Sequence, residues 1–132
     1  MKNSKLTNFA PNLMVDDVNK TVNYYEKVLD FHKIMSVPEK GQLDWAMVFR
    51  DNVTIMLQSK KSICEEYPKF EKLSVGSTSN FYIEVTEIDA FYEKIKDKAE
   101  IIKKPHTTFY GKKEFALEDC NGYLFTFAES QT

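Results

Sequence analysis

Histidine and cysteine are scarce in this 132-residue sequence, two of each, and that scarcity closes off several chemistries. Cys64 and Cys120 belong to no C-x-x-C pair, so neither a zinc ribbon nor a thioredoxin-type dithiol is encoded. Two unpaired thiols fit reduced cysteines in a cytoplasmic protein. Neither sign of charge prevails: 18 basic residues stand against 20 acidic ones, for a formal net charge of −2. Phosphate backbones need a basic surface to release their counterions, so nucleic acid is not an expected partner. Long apolar runs are missing as well, and none approaches the ~18 residues of a membrane span. Met1-Lys2-Asn3-Ser4-Lys5 is polar and no apolar segment follows it, so a secretory signal is not expected. The G-x-S-x-G and phosphate-loop signatures are absent too.

What the chain does have is apolar mass. Hydrophobic residues make up 42% of it and aromatic ones 14%, enough for one core in a single domain over residues 1–132. Residues 6–15 read as a strand containing Pro11, which cannot donate to a ladder and so marks an edge, bend or bulge. Asp16-Asp17 offers a helix N-cap. Val18, Val22, Tyr25 and Leu29 follow at helical spacing. Residues 31–37 read as a strand and 38–41 as a turn. Strands over 43–49 and 53–58 form a hairpin about Asp51-Asn52. Residues 59–79 are a polar connector with a short helix near 64–70.

The pattern then restarts. Residues 80–85 read as a strand, and 87–98 as a helix with Ile88, Phe91, Tyr92 and Ile95 on its apolar face. Residues 101–104 form a short strand ended by Pro105. Strands over 112–118 and 123–129 are joined by Asp119-Cys120-Asn121-Gly122, whose Asn-Gly pair is a turn signal. The restart is a repeat in sequence as well as in pattern. Val15-Asp16-Asp17-Val18 resembles Val85-Thr86-Glu87-Ile88 at an offset of 70 residues. Tyr24-Tyr25-Glu26-Lys27-Val28 resembles Phe91-Tyr92-Glu93-Lys94-Ile95 at 67, and Val53-Thr54-Ile55 resembles Tyr123-Leu124-Phe125 at 70. Two halves, about 6–58 and 79–129, are therefore expected. The fold class is α+β: two tandem βαβββ modules forming a curved mixed sheet around a cleft.

Strand alternation assigns faces. Tyr123, Phe125 and Phe127, with Val53, Ile55 and Leu57, should pack on the helices. Phe9, Leu13 and Val15 should do the same, matching Phe81, Ile83 and Val85. The opposite face then collects Asn8, Ala10, Asn12, Met14, Thr54, Met56 and Gln58 from one half. From the other it collects Asn80, Tyr82, Glu84, Leu124, Thr126 and Ala128. A concave face of mixed polarity with helices behind it suits a small-molecule cleft.

Several runs now resemble the vicinal oxygen chelate superfamily of glyoxalases, bleomycin-resistance proteins and extradiol dioxygenases. They are Ala10-Pro11-Asn12-Leu13-Met14-Val15-Asp16-Asp17-Val18, Tyr24-Tyr25-Glu26-Lys27-Val28-Leu29-Asp30-Phe31, Tyr82-Ile83-Glu84-Val85-Thr86 and Glu114-Phe115-Ala116-Leu117-Glu118-Asp119-Cys120-Asn121-Gly122-Tyr123. The last departs from the family's Asp-Pro-Asp/Asn-Gly at Cys120. Within the superfamily the chain is most similar to bleomycin-resistance-like binding proteins. That resemblance implies a homodimer with grooves near its interface and the Pro11 strand open to exchange between subunits.

Metal enzymes of the superfamily place His, Glu or Gln at inward positions that fall here on Ala10, Met56, Asn80 and Thr126. None is a good ligand for a divalent transition metal, which wants imidazole, thiolate or carboxylate. His32 and His106 lie off these positions and read as surface or turn histidines. No cofactor is expected. Trp45 and Tyr82 resemble aromatic positions that bleomycin-resistance proteins use to hold the drug. They either stack on a planar ligand or pack as core or interface aromatics, and alternation does not say which way Trp45 points. Glu84 and Glu114 serve a ligand cation or a general-base role if they face the cleft, and are otherwise solvated strand carboxylates. Phe109 and Tyr110 lie in a loop able to close over a ligand.

The expected function is a metal-independent binding protein that sequesters a planar or cationic small molecule, such as a glycopeptide-type antibiotic, in a dimer cleft. A glyoxalase-like metal-dependent lyase or isomerase is the alternative.

Overall fold

The repeat inferred from the sequence is present in the computed structural model, which describes residues 3–130. The first half runs β1 (Asn12–Val15), α1 (Val18–Lys27), β2 (His32–Val37), β3 (Trp45–Arg50) and β4 (Val53–Ser59). A connector follows, with α2 (Lys60–Glu66) and a 3-10 turn at Pro68–Lys72. The second half runs β5 (Asn80–Glu84), α3 (Ile88–Ile95), β6 (Glu100–Thr107), β7 (Lys112–Glu118) and β8 (Leu124–Ser130). Two four-stranded sheets result, ordered β1-β4-β3-β2 and β5-β8-β7-β6. In each, the first strand pairs parallel to the last, and the other pairs are antiparallel. The register repeats too: Asn12 faces Met56 as Tyr82, 70 residues on, faces Thr126. The fold is thus α+β with two βαβββ units, as two separate sheets rather than one closed surface.

Each helix starts for a local reason. Asp17 caps α1 by accepting from the Lys20 N–H at 3.1 Å. The α3 start has no side-chain cap of its own, and Glu87 sits in the left-handed region at φ 53°. Glu129 reaches across from β8 instead and accepts from the Glu87 and Ile88 N–H groups at 2.8 and 3.0 Å. This satisfies donors that a helix start otherwise leaves open.

The core joins the halves. Val18, Val22, Tyr25 and Leu29 of the first half and Ile88, Phe91, Ile95, Phe115, Phe125 and Phe127 of the second belong to one buried cluster. The Tyr25 ring meets Phe125 edge-on at 6.2 Å. Its hydroxyl donates to Asp119 at 2.6 Å, and the Tyr123 hydroxyl donates to the Met14 carbonyl at 2.6 Å.

Four expectations are corrected. The strand expected over 6–15 exists only at Asn12–Val15. Pro11 has no N–H, and its carbonyl, accepting from Met56 at 2.8 Å, is the last ladder contact. Phe9, expected on the core side, is therefore 85% exposed. Pro105 does not end the third strand of the second half, because β6 runs through to Thr107. β6 is a terminal strand, and the register slips between Lys103 and His106. A bulge at an edge is where a proline is tolerated. The connector helix starts earlier than expected, capped by Ser59, and Tyr67-Pro68 separates it from the 3-10 turn. Finally, Met14 and Ala128, assigned to the open face, are buried; the connector packs on the Met14 end, where α2 contacts both β1 and β4. Met1 and Lys2 of the polar N-terminal run lie outside the described residues. Among the described residues, no helix is long and apolar enough to cross a membrane.

Candidate functional site

Each sheet has a core face and an open face, and the open faces carry the candidate residues. On β3, Ala46 and Val48 are fully buried in the core. Alternation then turns Trp45, Met47 and Phe49 to the open face, where Trp45 lies opposite Gln58 and Met47 opposite Met56. This resolves the direction of Trp45. One end of the face is closed by α2. Gln58 there is 7% exposed, accepts from Asn12 at 2.8 Å, and donates to Ser62 and Glu66 at 2.9 and 3.2 Å.

The second sheet has no such cover, and its open face holds a compact polar cluster. Glu114 on β7 is only 6% exposed. The hydroxyls of Tyr110 and Tyr82 both donate to its Oε2, at 2.6 and 3.2 Å. The hydrogen bond to Glu114 and loss of water hold the Tyr110 hydroxyl above its ordinary 10.0. The Tyr82 hydroxyl is also raised, by desolvation first and Glu114 second. Both rings are therefore protonated donors at neutral pH and cannot serve as bases there. Glu84 has a different partner: Lys112 Nζ lies 2.9 Å from it, and 5.9 Å from the Tyr82 ring centroid. The Glu84 carboxylate raises the Lys112 pKa above 10.5. Among the described residues, Glu84 is neutralised by an ion pair and Glu114 has none.

The structure brings Tyr82, Glu84, Tyr110 and Glu114 together and keeps Trp45 and Met56 on the other sheet. Asn80 and Thr126 join by a 3.0 Å hydrogen bond from the Thr126 hydroxyl. Phe109 is wholly exposed at the turn between β6 and β7, edge-on to Tyr110 at 5.0 Å. Gly111 makes that turn possible with φ +82°, a conformation glycine adopts freely.

One neighbour was not legible in the sequence. His106, read as a surface or turn residue, is half-buried inside β6 and pairs in register with Glu114. It therefore shares the Glu114 face, with Nδ1 2.8 Å from the Lys104 carbonyl. The sequence pattern ends the strand at Pro105, before His106, whereas β6 runs on to Thr107 through two register slips. His32 is exposed at the start of β2, 5.9 Å from the Phe49 ring.

A transition-metal site of the superfamily's kind does not fit these residues. Ala10 has no donor, Met56 has a thioether, and the Asn80 oxygen already accepts from Thr126. Among the described residues, no three His, Cys, Asp or Glu side chains gather as ligands.

Comparison with known proteins gives a consistent outline. The family model described as Glyoxalase/Bleomycin resistance protein/Dioxygenase superfamily matches residues 6–127. No curated protein sequence matches. Among solved structures, a glyoxalase/bleomycin resistance protein/dioxygenase from Nocardioides is similar, with a TM-score of 0.79 and 18% identity over 98% of this chain and 86% of that one. TioX from Micromonospora sp. ML1 has a TM-score of 0.74 and 16% identity over 93% of this chain and 98% of that one. An integron cassette protein from V. cholerae has a TM-score of 0.70 and 23% identity over 98% of this chain and 97% of that one. At these identities the likeness is one of fold.

Proposed function

This chain belongs to the glyoxalase/bleomycin resistance protein/dioxygenase superfamily, and from that premise we propose that it is a metal-independent small-molecule-binding protein of the bleomycin-resistance type. Its ligand is a planar cation, held on the open faces of a homodimer. The observation that carries this reading is Glu114. A carboxylate that is 6% exposed, accepts from two tyrosine hydroxyls and has no ion pair among the described residues is a counter-charge open to a ligand cation. Tyr82 and Tyr110 flank it with aromatic faces, which attract cations and stack on planar groups. Trp45 supplies a second aromatic platform, and Phe109 a rim at the β6–β7 turn. Asn80, Thr126, Met56 and Glu84 complete the polar and soft surroundings. A glycopeptide-type antibiotic with a planar cationic tail belongs to the class of ligand that would fit.

The homodimer is part of the same proposal. Leu6 and Phe9 precede β1 and are 104% and 85% exposed, as expected of an arm that packs against a second copy.

The test uses proflavine, a planar cation, and anthracene-2-sulfonate, an anion of similar size, in calorimetric titrations with and without a chelator. Proflavine should bind and the sulfonate should not, and the chelator should change nothing. Glu114→Gln should weaken proflavine at least about tenfold, the scale of one charge-assisted contact. Equal binding of both dyes, or loss of binding on chelation, would sink the reading.

A further inference from the structure

A gap lies in the seam between the two sheets. β1 and β5 are the terminal strands of their sheets, and between them is a cavity of about 400 Å³. A second cavity, of about 370 Å³, shares Asn52, Val53, Ile83 and Glu84 with it. The two therefore adjoin. The walls of the first are mostly apolar, with Phe9, Leu13, Ile55, Phe81, Ile83 and Phe125 among them. Pockets of this size and character suit small organic ligands.

The charges around the seam decide what kind of ligand. Glu84 is the charged side chain on the first cavity's wall, and Lys112 already neutralises it at 2.9 Å. On the second cavity's wall, Arg50 lies 3.6 Å from Asp51. An ion of either sign would leave water for a lining that offers it no counter-charge. Hydrogen-bonding capacity remains. Neither the Asn52 nor the Thr54 side chain has a hydrogen-bond partner among the described residues. β5 also turns one row of backbone N–H and C=O groups away from β8, as any terminal strand does.

We propose that the seam binds an uncharged, mainly apolar molecule whose single hydroxyl or carbonyl group lies at Thr54 and Asn52. This goes beyond the cation reading above: the seam shares the Asn80, Tyr82 and Glu84 edge of β5 with that site, but its ligand is uncharged and lies in the apolar gap, whose walls include neither Glu114 nor Tyr110.

The experiment titrates the full chain with 1-octanol, octylammonium and octanoate, which differ only in the head group. Calorimetry gives affinity, and methyl NMR shifts of Ile55 and Ile83 give location. Octanol should bind one per chain, shift those methyls, and bind at least tenfold tighter than either ion. Val53→Trp should fill the seam and abolish octanol binding. Thr54→Val, which keeps shape and removes the hydroxyl, should weaken octanol about fivefold, and it keeps the test valid if the tryptophan variant does not fold. The two readings are scored separately, octanol by the Ile55 and Ile83 methyl shifts and proflavine by its loss in Glu114→Gln, so either proposal can fail while the other stands. Absence of octanol binding, shifts centred away from the two isoleucines, or equal affinity for the three heads overturns the inference. So does a seam that octanol enters only when the dimer dissociates, since its natural occupant would then be the arm of a second copy.

Discussion

Asp119 sits at the turn between β7 and β8 with 5% of its surface exposed. Tyr25 donates to it at 2.6 Å, and the N–H groups of Asn121 and Tyr123 each donate at 2.9 Å. Desolvation nevertheless raises its pKa above 3.8, because the hydrogen bonds offset only part of the lost water. An acid raised in this way binds its proton more tightly folded than unfolded. Its contribution to stability is fully present below 3.8 and is lost as pH rises through the folded value. The urea midpoint of the wild type relative to Asp119→Asn should therefore fall as the pH is raised above 3.8. A flat difference would mean that the carboxyl ionises at its ordinary value. The contrast with Glu114 is informative. Both carboxylates are buried and both accept from tyrosine hydroxyls, but Asp119 also takes backbone donors that fix a turn. Among the described residues Glu114 takes none, and it lies on an open sheet face. That difference separates a structural carboxylate from a candidate binding one; the sequence places Asp119 in the turn and Glu114 in the strand before it, but does not show the tyrosines that reach either.

Among the elements, the turns show where local sequence and tertiary contact part company. Gly41 and Gly76 have nearly the same φ, +85° and +84°. A Cβ at Gly41 meets nothing within 4 Å, whereas one at Gly76 would lie 2.1 Å from the Asn121 carbonyl oxygen. Gly41→Ala should cost about 1 kcal/mol, from left-handed backbone strain alone. Gly76→Ala should cost about 1–3 kcal/mol more, because the connector must move off the Asn121-Gly122 turn. Chemical denaturation of the two variants compares them directly, and equal costs would mean that the connector does not press on that turn. Strand and helix existence followed from period and caps: Asp17 marked α1, and Asn121-Gly122 marked the last hairpin. The α3 cap did not follow, because Glu129 lies more than 40 residues away in β8. Pro105 misled for a similar reason, since only the sheet order says that β6 is an edge.

The whole molecule is bound together by one core rather than two. Trp45, the single tryptophan, reports on the first half, and Phe115, fully buried in β7, belongs to the second. Phe115→Ala should cost about 3–5 kcal/mol. It should also move the Trp45 fluorescence transition together with the far-ultraviolet circular dichroism transition, as one cooperative unit does. A Trp45 transition left in place would divide the halves into independent units.

The sequence alone determined the repeat, the α+β class, the βαβββ order and the absence of good metal donors at Ala10, Met56, Asn80 and Thr126. These depend on period, offset and side-chain chemistry, all of which are local or additive. Only the tertiary structure decided that Trp45 faces away from the core, that His106 lies beside Glu114, that Tyr82 and Tyr110 share one carboxylate, and that a cavity opens between β1 and β5. Each of these depends on register, on a bulge, or on how two sheet edges meet. A one-residue slip reverses which face a side chain joins, and a single chain of letters does not record where that slip occurs.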